Sequence, residues 1–415
     1  MRMADLVVEF YGVEVGHLVG RDSRTFDFEF SRAAFDHFEL GSSILSEAVP
    51  LARIQNRARA GRRRNFFAEL LPEGELLEYM AAEAGVFSFD VISLLAQFGR
   101  DVAGALEIYD PERPGEPRTP MAVPLTADGV GALLNDVRRS PLGNRKFYGK
   151  SSLGGVQQKI VLALIDGVWN QVIDGHPSTH ILKTAPIDQP TVIFDEEYAS
   201  RICREVGISS FTAEIIDFAG TSALVIERYD RSSASPTGRI HQEDMNQALG
   251  ASRNEKYQEL GGKVSLARIA SVFAKRRDAE SLRRLHALNV VSLAVGNLDL
   301  HAKNVSMVHP FGAPASLAPA YDVVPLAHHD NDGRVALAVN GKYRHSEITL
   351  LDAAAEATAW GLADAESIAR DVVRRVLEVT EVEVPDDRSH PGLISDIRRF
   401  CSNLLDRRGA GSRRD

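Results

Sequence analysis

The spacing of apolar residues changes along this chain, and that change bounds the fold. Through the first fifty residues the pattern alternates, in LVVEFYGVEVGHLVG and again in TFDFEFS, with Gly12, Gly16 and Gly20 as punctuation. Alternation at period two marks half-buried antiparallel strands, so a small β unit opens the chain. A helical stretch follows in NFFAELLPEGELLEYMAAEAG, where Phe66, Leu70, Leu71, Leu76 and Met80 fall near helical spacing, interrupted at Pro72. Strand-like KIVLALIDG and STHILKT come next, then a helix from about Asp195 to Val206, then the strands FTAEIIDF and SALVIERYD. From about Val264 helices dominate, in SLARIASVFAKRR, SLRRLHALNVVSLAVGN and ADAESIARDVVRRVLEVTE. A β-rich portion followed by a mostly helical one predicts an α+β chain with two lobes and a cleft.

The segment DPERPGEPRTPMAVP carries Pro111, Pro114, Pro117, Pro120 and Pro124, and predicts a connector without regular structure. The expected organisation is an N-terminal subdomain over 1–110, a connector over 111–148 and a core over 149–415. That core divides into a smaller β-rich lobe, about 149–230, and a mainly helical lobe, about 231–415. With 48 Lys and Arg against 57 Asp and Glu, the net charge is −9, which argues against a general basic coat for nucleic acid. No apolar run approaches the ~20 residues that span a bilayer, and Asp5 and Glu9 interrupt the opening where a secretion signal needs apolar residues. Cys203 and Cys401 cannot form a disulfide framework or a Cys-rich zinc site, so the expected compartment is a reducing cytoplasm without membrane attachment. Two basic stretches remain. The run Arg53, Arg57, Arg59, Arg62, Arg63 and Arg64 reads as a solvated loop, with a polyanion contact as the alternative. The tail from Arg398 to Asp415, six arginines against two aspartates, reads as a frayed terminus, with a DNA-backbone contact as the alternative.

The segment GNLDLHAKN, Gly296 to Asn304, lies between an apolar helix and strand-like VSMV. Asp299 and Asn304 have the D-x-x-x-x-N spacing of kinase catalytic loops, where the Asp accepts the proton of an attacking hydroxyl and the Asn holds magnesium. The spacing alone recurs by chance. Asp322, in LAPAYDVVP eighteen residues after Asn304, falls where a second metal-binding carboxylate belongs. Lys183 ends the strand HILK, like a lysine that pairs with nucleotide phosphates, and Glu196 or Glu197 on the next helix could tether it, with Glu197 preferred. In SSLGGVQQK, Gly154 and Gly155 would let backbone approach phosphates, with charge from Lys159. In ALVIERYDR, backbone groups of Glu227, Arg228 and Tyr229 could meet an adenine edge, with Asp230 near the ribose. His328 and His329, followed by Asp330, read as a surface turn, since adjacent side chains in a loop diverge.

Together these blocks resemble the HipA family of bacterial serine/threonine-protein kinase toxins, over nearly the whole chain. NFFAELLP and FGRDVAGALEIY are similar to its N-terminal subdomain; SSLGGVQQK, THILK, EEYASRICREVGI, ALVIERYDR, HQEDMNQALG, GNLDLHAKNVSM and AYDVVP are similar to its kinase core, in order. Gln158 and Glu196 depart from the family's commoner residues. The resemblance implies a two-lobed core akin to phosphatidylinositol kinases, with ATP and Mg2+ as cofactors. It implies Asp299 as proton acceptor, Asn304 and Asp322 as metal ligands, and a phosphate loop of Gly154, Gly155, Val156, Gln157, Gln158 and Lys159. Lys183, the hinge Glu227 to Tyr229, and His301, Ala302, Lys303, Asn304 and Tyr321 would complete the nucleotide site. Ser152 matches an autophosphorylated serine whose modification silences the kinase, with adjacent Ser151 as the other candidate. The resemblance also implies a HipB-like helix-turn-helix antitoxin as partner, operator DNA reached through that complex, and translation factors such as an aminoacyl-tRNA synthetase as substrate. A lipid or small-molecule kinase and a non-catalytic co-repressor are the alternatives.

Overall fold

The computed structural model describes residues 4–20, 24–116, 118–136, 151–153 and 159–413. The chain forms two compact units: Met1–Thr184 with Ile216–Arg253 and Val308–Ala315, and Ala185–Ile215 with Asn254–Met307 and Ser316–Asp415. Among the described residues no helix is long and apolar enough to cross a membrane.

In the first unit the expected β opening is present. Strands Ala4–Phe10, Val13–Gly20 and Asp27–Phe30 form an antiparallel meander, and Leu106–Tyr109 pairs with the free side of the first. Gly16 is required there, since a Cβ would lie 2.2 Å from the Glu29 carbonyl oxygen. Helices Ala60–Ala68 and Gly74–Ala84 are separated around Pro72, and Val91–Phe98 follows. A second sheet runs in the order Met121–Pro124, Val168–Ile173, Lys159–Ile165, His180–Lys183, Thr221–Glu227, Ala213–Phe218. Its strand KIVLALI is apolar without alternation because both faces are covered. Val161 and Ala163 join the core of Phe10, Phe67 and Leu95, whereas Ile160 and Leu162 pack with Val130, Leu133 and Leu134 of helix Ala127–Asn135.

The compact units group these segments differently from the expected domains. Residues 1–110 and the β-rich segment are one compact unit, while 185–215 belong to the other. The expected irregular connector also contains an edge strand, Met121–Pro124, and a helix that Thr126 caps by accepting from Gly129 N–H. Proline is compatible with an edge strand, where its missing N–H breaks no ladder. The arginine run is not wholly solvated either. It enters the helix Ala60–Ala68, and buried Arg63 makes a bidentate pair with Asp27 at 2.5 and 2.6 Å.

A buried charge cluster organises this unit. Asp101, 1% exposed, accepts from Ser151 Oγ at 3.0 Å, Ser178 Oγ at 2.7 Å and Arg231 Nη2 at 2.8 Å. Asp230 accepts from Arg228 Nε and Nη2 at 2.9 and 2.7 Å and from Gly104 N–H at 2.7 Å. Its carboxylate is therefore committed to protein groups and does not fill the expected place beside a ribose. Burial opposes ionisation of Asp101, but the guanidiniums of Arg231, Arg228 and Arg239 outweigh it and hold the carboxyl below its ordinary range. Asp230 is shifted the same way, against burial, by Arg228 and Arg231.

The second unit is mainly helical, around Ala279–Val295, a helix buried on nearly every side by Val192–Val206, Leu266–Lys275, Leu350–Ala359, Ala365–Val382 and Leu393–Leu405. The chain's end is docked as far as Gly411 and is not frayed as expected. Ala410 is fully buried and donates to Ile348 O, and Gly411 donates to His345 O.

Two outcomes follow. Asp101→Asn leaves Arg228 and Arg231 short of a buried anion, so urea denaturation should show a loss of about 3–5 kcal/mol. Because Asp101 and Asp230 titrate below the ordinary 3.8 when folded, their stabilisation is complete well above that value. The unfolded chain takes up protons first as pH falls, so the wild-type urea midpoint should hold near neutrality and drop steeply below about pH 4.

Candidate active site

The loop Gly296 to Asn304 is built backbone-first. Helix Ala279–Val295 stops at Gly296, which takes φ +75°. A Cβ there would lie 2.7 Å from both Ala327 Cβ and the Phe400 ring, so the turn needs glycine twice over. Asn297 N–H donates to Ser292 O at 2.8 Å, and Asn297 Oδ1 accepts from Asp299 N–H at 3.1 Å. His301 N–H then donates to Asp299 O, and Asn304 N–H to His301 O, winding the short 3₁₀ turn Ala302–Asn304. Asn304 Nδ2 reaches back to Asp299 O at 3.0 Å.

This last bond couples the two residues of the D-x-x-x-x-N pair. With its NH2 group on the Asp299 carbonyl, Asn304 offers a cation its Oδ1, a hard oxygen ligand. The Asp299 side chain is 47% exposed, whereas those around it are buried: His301, Ala302, Lys303 and Asn304 are all below a tenth exposed. His301 Nε2 lies 3.9 Å from Asp299 Oδ2, beyond hydrogen-bond distance, and its ring meets the Tyr257 edge.

Asp322 follows a tyrosine that is fastened to the loop. Tyr321 OH donates to Lys303 O at 2.6 Å and lies 2.6 Å from Ser306 Oγ, fastening AYD to AKN. Upstream, Ala320 N–H donates to Ile208 O, and Arg284 Nη1 and Nη2 donate to Leu317 O and Ala318 O. Asp322 itself has φ +56°, a left-handed backbone uncommon outside glycine and enriched at functional positions. The second unit thus brings Asp299, His301, Lys303, Asn304, Tyr321 and Asp322 into one constellation.

The first unit carries the remaining expected nucleotide-site residues, and Glu197 belongs to the second. Lys159 and Lys183 are direct cross-strand partners, and both are buried. Side chains so paired have Cβ atoms ~5 Å apart, so the two lysines share one local environment. Glu227 pairs with His180, and Arg228 N–H donates to Thr179 O. The Arg228 guanidinium is turned into the buried cluster, and the Tyr229 hydroxyl bonds Gln242. Ser151 and Ser152 are also buried: Ser152 N–H donates to Asp101 O, and its Oγ to Leu70 O at 2.9 Å. Gly154, Gly155, Val156, Gln157 and Gln158 lie outside the described residues.

Glu197 requires a correction. Its carboxylate pairs with Arg201 one turn along its own helix, at 2.9 Å, and Arg201 also binds Glu383. That i, i+4 geometry satisfies it locally, so it is not the tether of Lys183. His328 and His329 also depart from expectation: both rings turn toward buried Asp195. Sequence spacing could not show this convergence, because Asp195 arrives from a different element. Nor could it show the Lys159–Lys183 pairing, which depends on strand register.

Comparison with known proteins agrees with this organisation. Residues 6–109 match the HipA N-terminal domain, and residues 151–380 the HipA-like C-terminal domain. A Sinorhizobium fredii protein designated Y4mE is 31% identical over 334 residues, 77% of each chain. The serine/threonine-protein kinase toxin HipA of Shewanella oneidensis is 26% identical over 357 residues, 80% of this chain and 81% of that one. A solved structure of the Shewanella oneidensis HipA, HipB and operator DNA complex covers 97% of this chain and 96% of its own at TM-score 0.78 and 24% identity, so the α+β, protein-kinase-like fold is shared. With both family domains in order and a relative at 31% identity over most of both chains, the chain belongs to the HipA family of kinase toxins.

Proposed function

We propose that this protein is a serine/threonine protein kinase using ATP and Mg2+, and the toxin of a toxin–antitoxin pair. The observation that carries the reading is the Asn304 Nδ2 bond to the Asp299 carbonyl, which holds an exposed carboxylate and a hard oxygen ligand in one short loop. Asp299 would take the proton of the acceptor hydroxyl as its oxygen attacks the γ-phosphorus, while the bond from that phosphorus to the β,γ-bridging oxygen breaks and ADP leaves. Asn304 Oδ1 and the Asp322 carboxylate are oxygen donors suited to magnesium, which when bound would neutralise charge on the phosphates. The buried pair Lys159 and Lys183 would hold those phosphates with the 154–158 segment, and Glu227 to Tyr229 would present backbone to the base.

Ser152 would be the site of self-modification. Its hydroxyl is wholly buried on Leu70 O, so phosphorylation requires the segment to leave that seat. A phosphate of about −1.5 to −2 charge would oppose its return. The partner would be a HipB-like helix-turn-helix antitoxin, with operator DNA bound through the complex. The structurally similar HipA of Shewanella oneidensis is solved in complex with HipB and operator DNA, which supports that reading. The acceptor would be a protein, with an aminoacyl-tRNA synthetase as the first candidate on family grounds.

Incubation with magnesium-ATP followed by phosphopeptide mapping should place phosphate on Ser152, and Ser152→Ala should remove that peptide. Asp299→Asn should lower turnover about 10²–10⁴-fold, the usual worth of a positioned acid–base group. Equal ATP turnover in wild type and Asp299→Asn would overturn the catalytic reading, and label found only in lipid or sugar acceptors would replace the protein substrate.

A further inference from the structure

Away from the proposed magnesium ligands, three side chains from two elements of the second unit converge. Asp195, in the first turn of helix Val192–Val206, has a fully buried carboxylate. Its Oδ1 accepts from His390 N–H at 2.8 Å and its Oδ2 from Thr191 Oγ1 at 2.8 Å, and His328 Nε2 lies 3.2 Å from Oδ2, donating to it in the tautomer that carries the proton there. His329 Nε2 lies 4.0 Å from the same oxygen, buried and without a hydrogen-bond partner. The His390 ring stacks on His328 at 4.0 Å and 15°, closing one side, and its Nδ1 accepts from Gly392 N–H.

We propose that Asp195, His328 and His329 form a binding site for a zinc-class divalent transition-metal ion. One ligand atom from each lies within 4.8 Å of the others. Metal–ligand bonds of about 2.0–2.2 Å in a tetrahedron place ligand atoms roughly 3.3 Å apart. The separations to Asp195 Oδ2, 3.2 and 4.0 Å, lie close to that value, and a small turn of the His329 ring closes the longer one. Two imidazoles with one carboxylate suit zinc, whereas magnesium prefers oxygen ligands and ordered water. A metal takes the lone pair of a neutral imidazole, which each histidine can present from Nε2 with its proton on Nδ1. Three protein ligands leave a fourth position for solvent.

The site ties helix Val192–Val206 to the segment that begins at Asp322. Leu326 and Ala327 N–H both donate to Gly296 O, so the same segment is fixed to the start of the Asp299 loop. The ion therefore braces these elements without touching Asn304 or Asp322, and the assignment stands whether or not the chain is a kinase.

The test uses the full chain, stripped with chelator and titrated with Co2+ and then Zn2+. Wild type should bind one equivalent, develop the visible bands of tetrahedral Co2+, lose them on zinc addition, and melt higher with zinc. His329→Gln should bind at least tenfold more weakly, and His328→Gln with His329→Gln should not bind. Because His329 Nε2 has no hydrogen-bond partner, His329→Gln should melt with wild type in chelator; His329→Asn is the second variant if the longer side chain disturbs packing. Asp322→Asn should bind zinc as wild type does. No stoichiometric binding by wild type, equal affinity in both His329 variants, or loss of binding in Asp322→Asn would each overturn the assignment.

Discussion

A carboxylate without access to water sets the geometry of the first unit. Asp101 holds the hydroxyls of Ser151 and Ser178 and the guanidinium of Arg231, and through Ser178 it reaches Arg228. Those partners are the base of the glycine-rich segment, the approach to the Lys183 strand, and the end of the strand that leads into Arg228. Buried ion pairs add little net stability compared with apolar packing, but removing one partner is costly. The cluster therefore acts as a reference point: elements far apart in sequence are placed by their bonds to one group. The N-terminal region supplies that group, and its core continues through Val161 and Ala163 into the second sheet. It is a structural floor for the β-rich segment.

The second unit solves a different problem, that of keeping one acid exposed while its neighbours are buried. The loop from Gly296 to Asn304 closes on its own backbone, with side-chain amides of Asn297 and Asn304 satisfying groups that helix or strand would otherwise satisfy. The surrounding side chains are then free to be packed by Tyr257, Tyr321 and the preceding helix. Asp299 alone projects, which is the condition for a carboxylate that must meet a substrate.

What the sequence revealed was what depends on local periodicity. The alternating opening, the break at Pro72, the helix near 195–206 and the loop with its D-x-x-x-x-N spacing all follow from neighbours in the chain. The misreadings share a cause, which is tertiary context. Proline density suggested an irregular connector, yet an edge strand tolerates Pro124. The arginine run looked solvated, yet Arg63 found Asp27 thirty-six residues away. Asp230 looked available for a ligand and is spent on Arg228. Adjacent histidines were expected to diverge, and a buried aspartate from another helix draws them together. For Arg63 and for the histidines the partner lies too far along the chain for spacing to predict, whereas Asp230 meets Arg228 only two residues away and it is burial that commits the two to each other.

The lysines show how local electrostatics and overall charge separate. A chain of net charge −9 repels nucleotide phosphates at long range, but screening in physiological salt confines that repulsion to about 8 Å. Within that distance, strand register decides. Pairing Lys159 with Lys183 brings two buried lysines opposite one another in the sheet, although they are twenty-four residues apart in the chain. Side chains opposite one another across a sheet interact directly, so the register sets the local charge whatever the chain's total. Under the proposed kinase reading a nucleotide phosphate would meet both lysines through that one register, and a shift of a single residue would turn one of them to the other face.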